Sequence, residues 1–264
     1  MHAQVRPALL FFLLYERSKH FLSSPTMTIR KYTAVLFDLD GTLRASMPEG
    51  FEAFVEYAGR VGLSLNNDQV ATVEREAHRY WGGRQVDKDM IRYDQRQFWI
   101  NYNQLLLGAI GLIDCKDCAE KINDLYDEYD PVDVIFADSR TVLKTLRERG
   151  YIIGLVSNRE GDLWPLTESY GLAEFFHFTL SGGQAKSFKP YEGIFLKALE
   201  MASEAHGAKI SAQAALYVGD NYYADVEGSR GVGMDSVLID HRNVFTDFDA
   251  MRIKRLRDVL NYLD

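Results

Sequence analysis

Apolar residues along this chain fall into short continuous runs separated by longer amphipathic stretches, and the two patterns predict different elements. Tyr32 to Phe37 is a nearly unbroken apolar run rich in strand formers. Such a run suits a strand buried on both faces of a parallel sheet. Tyr151–Val156, Ala214–Val218 and Ser236–Ile239 repeat the pattern, and Phe175–Leu180 is a weaker version of it. Helical spacing alternates with these runs. Ser139 is placed to cap a helix carrying Val142, Leu143 and Leu146 on one face and stopping at Gly150. Glu192–Ala205 sets Ile194, Phe195, Ala198, Leu199 and Ala202 on one stripe, and Arg252–Leu263 closes the chain in the same manner. Strands alternating with helices predict an α/β fold, a doubly wound parallel sheet of Rossmann-like type.

Between the first two runs the chain offers no convincing strand. It reads instead as four helices. The first spans Glu49–Val61, with Phe51, Phe54, Val55, Ala58 and Val61 on one stripe. The second runs from a cap near Asn67 to the stop at Gly82 and Gly83. A third carries Met90, Ile91, Phe98, Trp99 and Tyr102 and ends near Gly108, and a fourth holds Ala119, Ile122, Leu125 and Tyr126 before Pro131. A strand-to-strand crossover rarely needs so much chain, so the segment is expected to be an inserted helical subdomain. The expected division is a core of residues 27–46 and 134–264, a helical insertion of residues 47–133, and an extension of residues 1–26.

Composition narrows the class. The 264 residues are 47% hydrophobic and 26% charged, ordinary values for a globular chain with a sizeable core. A net charge of −8 without a basic tract argues against nucleic acid as a partner. The longest uncharged apolar run, Pro7–Tyr15, falls far short of the ~20 residues that cross a bilayer. No membrane partner is expected. Two cysteines make no disulfide framework and suit a reducing compartment, so a cytoplasmic location is expected.

The extension differs from the rest. Residues 1–31 carry Arg6, Arg17, Lys19, Arg30 and Lys31 against Glu16 alone, a charge of +4 that leaves −12 on the remainder. A basic start, an apolar run and then Ser23 and Ser24 loosely resemble a signal or transit peptide, without a small-x-small cleavage site. An upstream start ahead of Met27 and a structural N-terminal helix are the other readings. Under each of them residues 1–26 carry no chemistry.

The chemistry-bearing residues lie where the predicted strands end. Ligands of open α/β sheets bind outside the carboxyl ends of the strands. Asp38, Asp40, Gly41 and Thr42 follow the first strand, and Ser157 and Asn158 follow the second. Lys189 and Pro190 precede a helix, and Gly219, Asp220 and Asp225 come at the fourth. Four carboxylates, two hydroxyls and a lysine thus converge on one edge. Clustered carboxylates repel unless a cation sits among them, and oxygen-only ligands favour a hard ion such as Mg²⁺. Singly these features are ordinary: Asp-Gly is a common turn, Ser-Asn a helix cap, Lys-Pro a loop. Their order at successive strand ends is what points to a site.

In that order the segments resemble the four motifs of the haloacid dehalogenase superfamily, whose members are mostly Mg²⁺-dependent phosphatases. The resemblance spans about residues 33–240, and the helical insertion is similar to the family's cap. It implies that Asp38 is a nucleophile forming an aspartyl-phosphate and that Asp40 protonates the leaving oxygen and later activates water. It places Gly41, Thr42, Ser157, Asn158 and Lys189 around the phosphoryl group, with Ser157 and Lys189 catalytic. It assigns Mg²⁺ to Asp38, the main-chain carbonyl of Asp40 and Asp220, with Asp225 in support. The implied substrate is a small phosphorylated metabolite. Dehalogenation is disfavoured, because dehalogenases lack the second aspartate that Asp40 supplies. A phosphomutase or phosphotransferase with the same machinery, or an idle interaction module on the same fold, are the alternatives.

Other features attract weaker readings. Cys115 and Cys118 have the spacing of half a zinc site and no second pair, so they are expected to be inert. Phe98, Trp99 and Tyr102 are expected in the core of the insertion. The six histidines lie outside the motifs and take no role. Arg44 and Arg159 flank the motifs and are expected either to meet a second anionic group or to form surface pairs.

Overall fold

A computed structural model describes residues 30–263. The expectations for residues 1–26 lie outside the described residues. Residues 32–263 form one compact unit, built on a six-stranded sheet in the order β5-β4-β1-β6-β7-β8, with every neighbouring pair parallel. The strands are β1 (Ala34–Phe37), β4 (Ile152–Ser157), β5 (Phe178–Ser181), β6 (Ala215–Gly219), β7 (Asp235–Ile239) and β8 (Met251–Ile253).

The side-chain period of two explains why these runs are apolar throughout. Val35, Phe37, Ile153, Leu155, Leu216 and Val218 point into one hydrophobic cluster. Ala34, Leu36, Ile152, Val156, Ala215 and Tyr217 point into another on the opposite face. Helix α6 (Ser139–Glu148) covers the first face with Val142, Leu143 and Leu146. Helix α9 (Glu192–His206) covers the second with Ile194, Phe195, Ala198 and Ala202. Gly154 leaves room for its neighbour: a Cβ there would lie 2.3 Å from the Phe178 ring.

Two sequence expectations fail in this core. Asp138, not Ser139, precedes α6, and the Ser139 hydroxyl donates instead to the Leu43 carbonyl at 2.8 Å. Arg252–Leu263 is not a helix. Its first residues pair with β7 as β8, and a 3₁₀ stretch, Leu256–Tyr262, follows. Arg252 turns its guanidinium to Asp240 at 3.0 Å rather than continuing a helical turn.

The insertion also departs from its reading. It opens and closes with a two-stranded antiparallel ribbon, β2 (Arg44–Met47) against β3 (Val132–Ile135), where no strand was expected. Between them come five helices rather than four: α1 (Gly50–Arg60), α2 (Asn67–Trp81), α3 (Gln85–Arg92), α4 (Gln95–Ala109) and α5 (Lys116–Leu125). The predicted third helix breaks at Tyr93, which is extended. Asp94 then starts a new helix by accepting the Gln97 amide at 2.9 Å. The five helices enclose their own hydrophobic cluster around Phe54, Tyr57, Val73, Leu106, Leu107 and Ile122. Cys115 and Cys118, expected to be inert and to make no disulfide framework, are joined as a disulfide at the start of α5. Among the described residues no helix is long and apolar enough to cross a membrane.

Helices and sheet are tied by Arg242, in the loop after β7, which reaches Glu49 at 2.8 Å, Glu52 at 3.1 Å and Glu74 at 3.2 Å. Burial pushes the Glu74 carboxyl up to about 7; Arg242 opposes this, and Glu49 and Asp240 add to it. The folded protein therefore holds a proton that the unfolded chain releases near 4.5. Stability should fall as pH rises through that window. Glu74→Gln mimics the protonated form. Its melting temperature is expected to gain on the parent between pH 5 and pH 8, and a constant difference across that range would contradict this.

Candidate active site

The sheet order alone assembles the site. β4, β1 and β6 are consecutive neighbours, with Phe37 level with Leu155 and Val218. Their carboxyl ends therefore bring Asp38, Ser157 and Asp220 together. Asp38 leaves the sheet with its amide still bonded to the Val218 carbonyl at 2.9 Å. Leu39 and Leu43 are fully buried and pin the next turn to the core. Asp38 and Asp40 are left to face one cavity. Gly41 has φ of +82°, and a Cβ there would fall 2.2 Å from the Asp220 carboxylate. Only glycine fits both demands.

Lys189 joins the strand ends electrostatically. Its buried ammonium donates to Asp38 Oδ1 at 2.6 Å and to Asp225 Oδ1 at 2.7 Å. Burial alone would lower its pKa, but Asp225 and Asp38 outweigh that and hold it well above the ordinary lysine value. The loop carrying it is fixed by Asn158, whose side chain accepts the Lys189 amide at 2.6 Å and donates to the Lys189 carbonyl at 2.9 Å. Asn158, expected at the phosphate, thus has its side-chain amide engaged in positioning the lysine. Asp225 is held as firmly, because its second oxygen accepts the Asn221 amide at 2.9 Å.

One lysine does not balance this cluster. Asp38, Asp220 and Asp225 each place a carboxylate oxygen within 4.8 Å of the others. Burial, the largest cause, pushes Asp38 up to about 7; Asp225 and Asp40 raise it further and Lys189 opposes. Burial, with Asp38 and Asp225, holds Asp220 well above the ordinary aspartate range. Two acids so disfavoured as anions, in an all-oxygen donor set, fit a hard cation between them. Asp225 has both oxygens engaged, so Asp38 and Asp220 are the side chains left to hold one.

The remaining predicted residues divide. Ser157 is buried and lines the cavity. Thr42, expected at the phosphate, does not line it. The residue is fully buried, and its hydroxyl has no hydrogen-bond partner among the described residues. Neither arginine forms a simple surface pair. Arg159 grips Asp40 with two bonds of 2.9 Å, and buried Arg44 reaches the same carboxylate at 2.7 Å while bonding Asp133 at 2.8 Å. Arg44 thereby links the turn after β1 to the base of the insertion.

Sequence reasoning missed what the insertion contributes. His78, on α2, has Nδ1 4.0 Å from Asp220 Oδ2, and burial lowers its pKa to about 4. Its carbonyl accepts from the Asn221 side chain at 3.0 Å, and its ring meets Phe245 edge-on. Phe98 and Tyr102 are packed in the insertion's core as expected, whereas Trp99 is exposed and, with Trp81 and an edge of Tyr102, lines the cavity. Helical spacing marked the stripe, but which of its residues faced inward depended on packing the sequence does not display. The cavity runs from Asp38 to these aromatics, is partly open to solvent and has a volume of about 1320 Å³.

A family model described as haloacid dehalogenase-like hydrolase matches residues 32–233. Among curated proteins, the chain is 27% identical over 217 residues to haloacid dehalogenase-like hydrolase domain-containing protein 3 of Danio rerio, covering 79% of this chain and 85% of that one. It is 26% identical over 219 residues to the ribulose-1,5-bisphosphate 5-phosphatase of Halopiger xanaduensis, covering 79% and 84%. Among solved structures, Bacillus subtilis YfnB, described as bound to magnesium, aligns with a TM-score of 0.52 at 18% identity, covering 89% of this chain and 99% of that one.

Proposed function

The chain belongs to the haloacid dehalogenase-like hydrolases, and from that premise we propose that it is a Mg²⁺-dependent phosphatase of a phosphorylated metabolite, working through an aspartyl-phosphate. That it is a phosphoric monoester hydrolase follows from the family and from relatives named as phosphatases. The observation that carries the finer reading is the buried Lys189, held between Asp38 and Asp225 with Asp220 beside them.

Asp38 attacks phosphorus, and the bond from phosphorus to the ester oxygen breaks. Lys189 lies on the attacking carboxylate, so it offsets charge on nucleophile and phosphoryl group as they approach. Ser157 offers its hydroxyl to a phosphoryl oxygen from the neighbouring strand end. Asp40 gives its proton to the departing oxygen. It then takes one from the water that attacks the acyl-phosphate, returning Asp38 as carboxylate and releasing phosphate. A cation held by Asp38, Asp220 and the Asp40 carbonyl would supply positive charge to the phosphoryl oxygens. The magnesium described in YfnB supports that choice of ion.

The test is phosphate release by the full chain from a panel of phosphomonoesters, with Mg²⁺ and after chelation. Release is expected with Mg²⁺, loss of it in chelator and recovery on adding Mg²⁺ back. Turnover indifferent to chelation would overturn the metal assignment, and no turnover on any ester would overturn the phosphatase.

A further inference from the structure

We propose that the substrate's leaving group carries a flat aromatic ring without negative charge, seated in the chamber that the insertion builds over Asp38. The proposal rests on the phosphatase reading and deepens it. The chamber is one space with the site, about 1320 Å³ in all. Ligand pockets usually run to about 300–1,000 Å³, so a two- or three-carbon leaving group would leave most of this one to water. Water in the chamber works against the dry surroundings in which charges at the reacting centre act most strongly.

The walls say what fills it. Trp81, at the end of α2, meets Trp99 and Tyr102 of α4 with ring centroids 5.7 and 5.5 Å away, and Trp99 and Tyr102 are 5.8 Å apart. Phe98 is 5% exposed, while Trp99, one position on, is 37% exposed and lines the cavity. An indole partly exposed in the wall of the same cavity as Asp38 is a platform for another ring.

Charge excludes a second anion. Among the insertion residues lining the cavity, Asp87, Asp94 and Asp127 stand against Arg96, and Arg96 is paired with Asp124 at 2.8 Å. Arg44 and Arg159, the arginines nearest the chemistry, are both bound to Asp40. A carboxylate on the leaving group would meet acids, whereas a neutral or cationic ring with N–H donors would meet acceptors.

Three primary alkyl esters test this, chosen so that the departing alcohols share similar chemistry: naphthylmethyl phosphate, octyl phosphate and phosphoglycolate. The full chain is expected to favour the ring over the octyl chain by about 10-fold or more in kcat/KM, consistent with stacking, and to turn over phosphoglycolate least. Trp99→Ala should lower the ring-to-octyl ratio by about 5- to 100-fold, chiefly through KM because stacking is present before and during the reaction. Trp99→Phe should restore most of it. An octyl ester as good as the ring, a preference for phosphoglycolate, or an equal loss on all esters in Trp99→Ala would overturn the proposal alone. Failure on all three esters and on the wider panel would overturn the phosphatase reading, and this inference with it.

Discussion

Asp38→Asn is expected to abolish turnover and leave the fold at least as stable as the parent. The two halves have one cause. Asparagine cannot form the acyl-phosphate, so the covalent route closes and acid quenching should trap no phosphoprotein. The same substitution removes a buried negative charge from a cluster that disfavours it. Burial, helped by Asp225 and Asp40, raises Asp38 to about 7 despite Lys189, so above that pH the folded chain holds an anion it would rather see neutral. Lys189 loses one partner but keeps Asp225 at 2.7 Å, so its ammonium is not left buried and unpaired. The melting temperature at pH 8 without added metal should therefore match or exceed the parent's, while phosphate release is lost. A phosphoprotein trapped from Asp38→Asn would refute the nucleophile. A large drop in melting temperature would instead show that the carboxylate holds the fold together.

The parts of this molecule that were legible share a physical property. β1, β4 and β6 are buried on both faces, which demands uninterrupted apolar runs, and such runs are visible in a sequence. The residues at their ends were legible for the same reason: once the strands are placed, the carboxyl edge is placed too. The β2–β3 ribbon was not, because its strands are four residues each and β3 is largely exposed, so no alternation marks it. The break between α3 and α4 depended on Asp94 preferring to cap rather than to continue a helix. Spacing in the sequence was equally silent about which side of the insertion looks at the sheet. That orientation decides that His78, Trp81 and Trp99 reach the cavity, and it is set by distant pairings such as Asn221 with His78. Asn158 shows the limit of motif reasoning. Its place beside the site was foreseen, but the structure turns its side chain to the Lys189 backbone.

Asp40→Asn should lose turnover in a way that depends on the leaving group. Asp40 handles protons, a role that typically contributes ~10²–10⁴-fold. Its part in holding the cation is read as a main-chain carbonyl, which the substitution preserves, so the Mg²⁺ concentration giving half-maximal rate should change little. The carboxylate is bonded twice by Arg159 at 2.9 Å and once by Arg44 at 2.7 Å. To hand a proton to the ester oxygen it must be released from part of that set of bonds as the leaving oxygen arrives. Asparagine keeps one acceptor for the arginines and cannot be the acid. A good leaving group such as p-nitrophenolate departs without a proton, so phosphorylation of Asp38 should slow far less with it than with an alkyl ester. The second half-reaction still needs Asp40 to take a proton from water. With the aryl ester, Asp40→Asn should therefore accumulate phosphoprotein that the parent does not. Single-turnover kinetics on an aryl and an alkyl ester, each with acid quench, separate the two steps. Equal slowing of the phosphorylation step on both esters would remove Asp40 as the acid, and failure of the phosphoprotein to accumulate would remove it as the base.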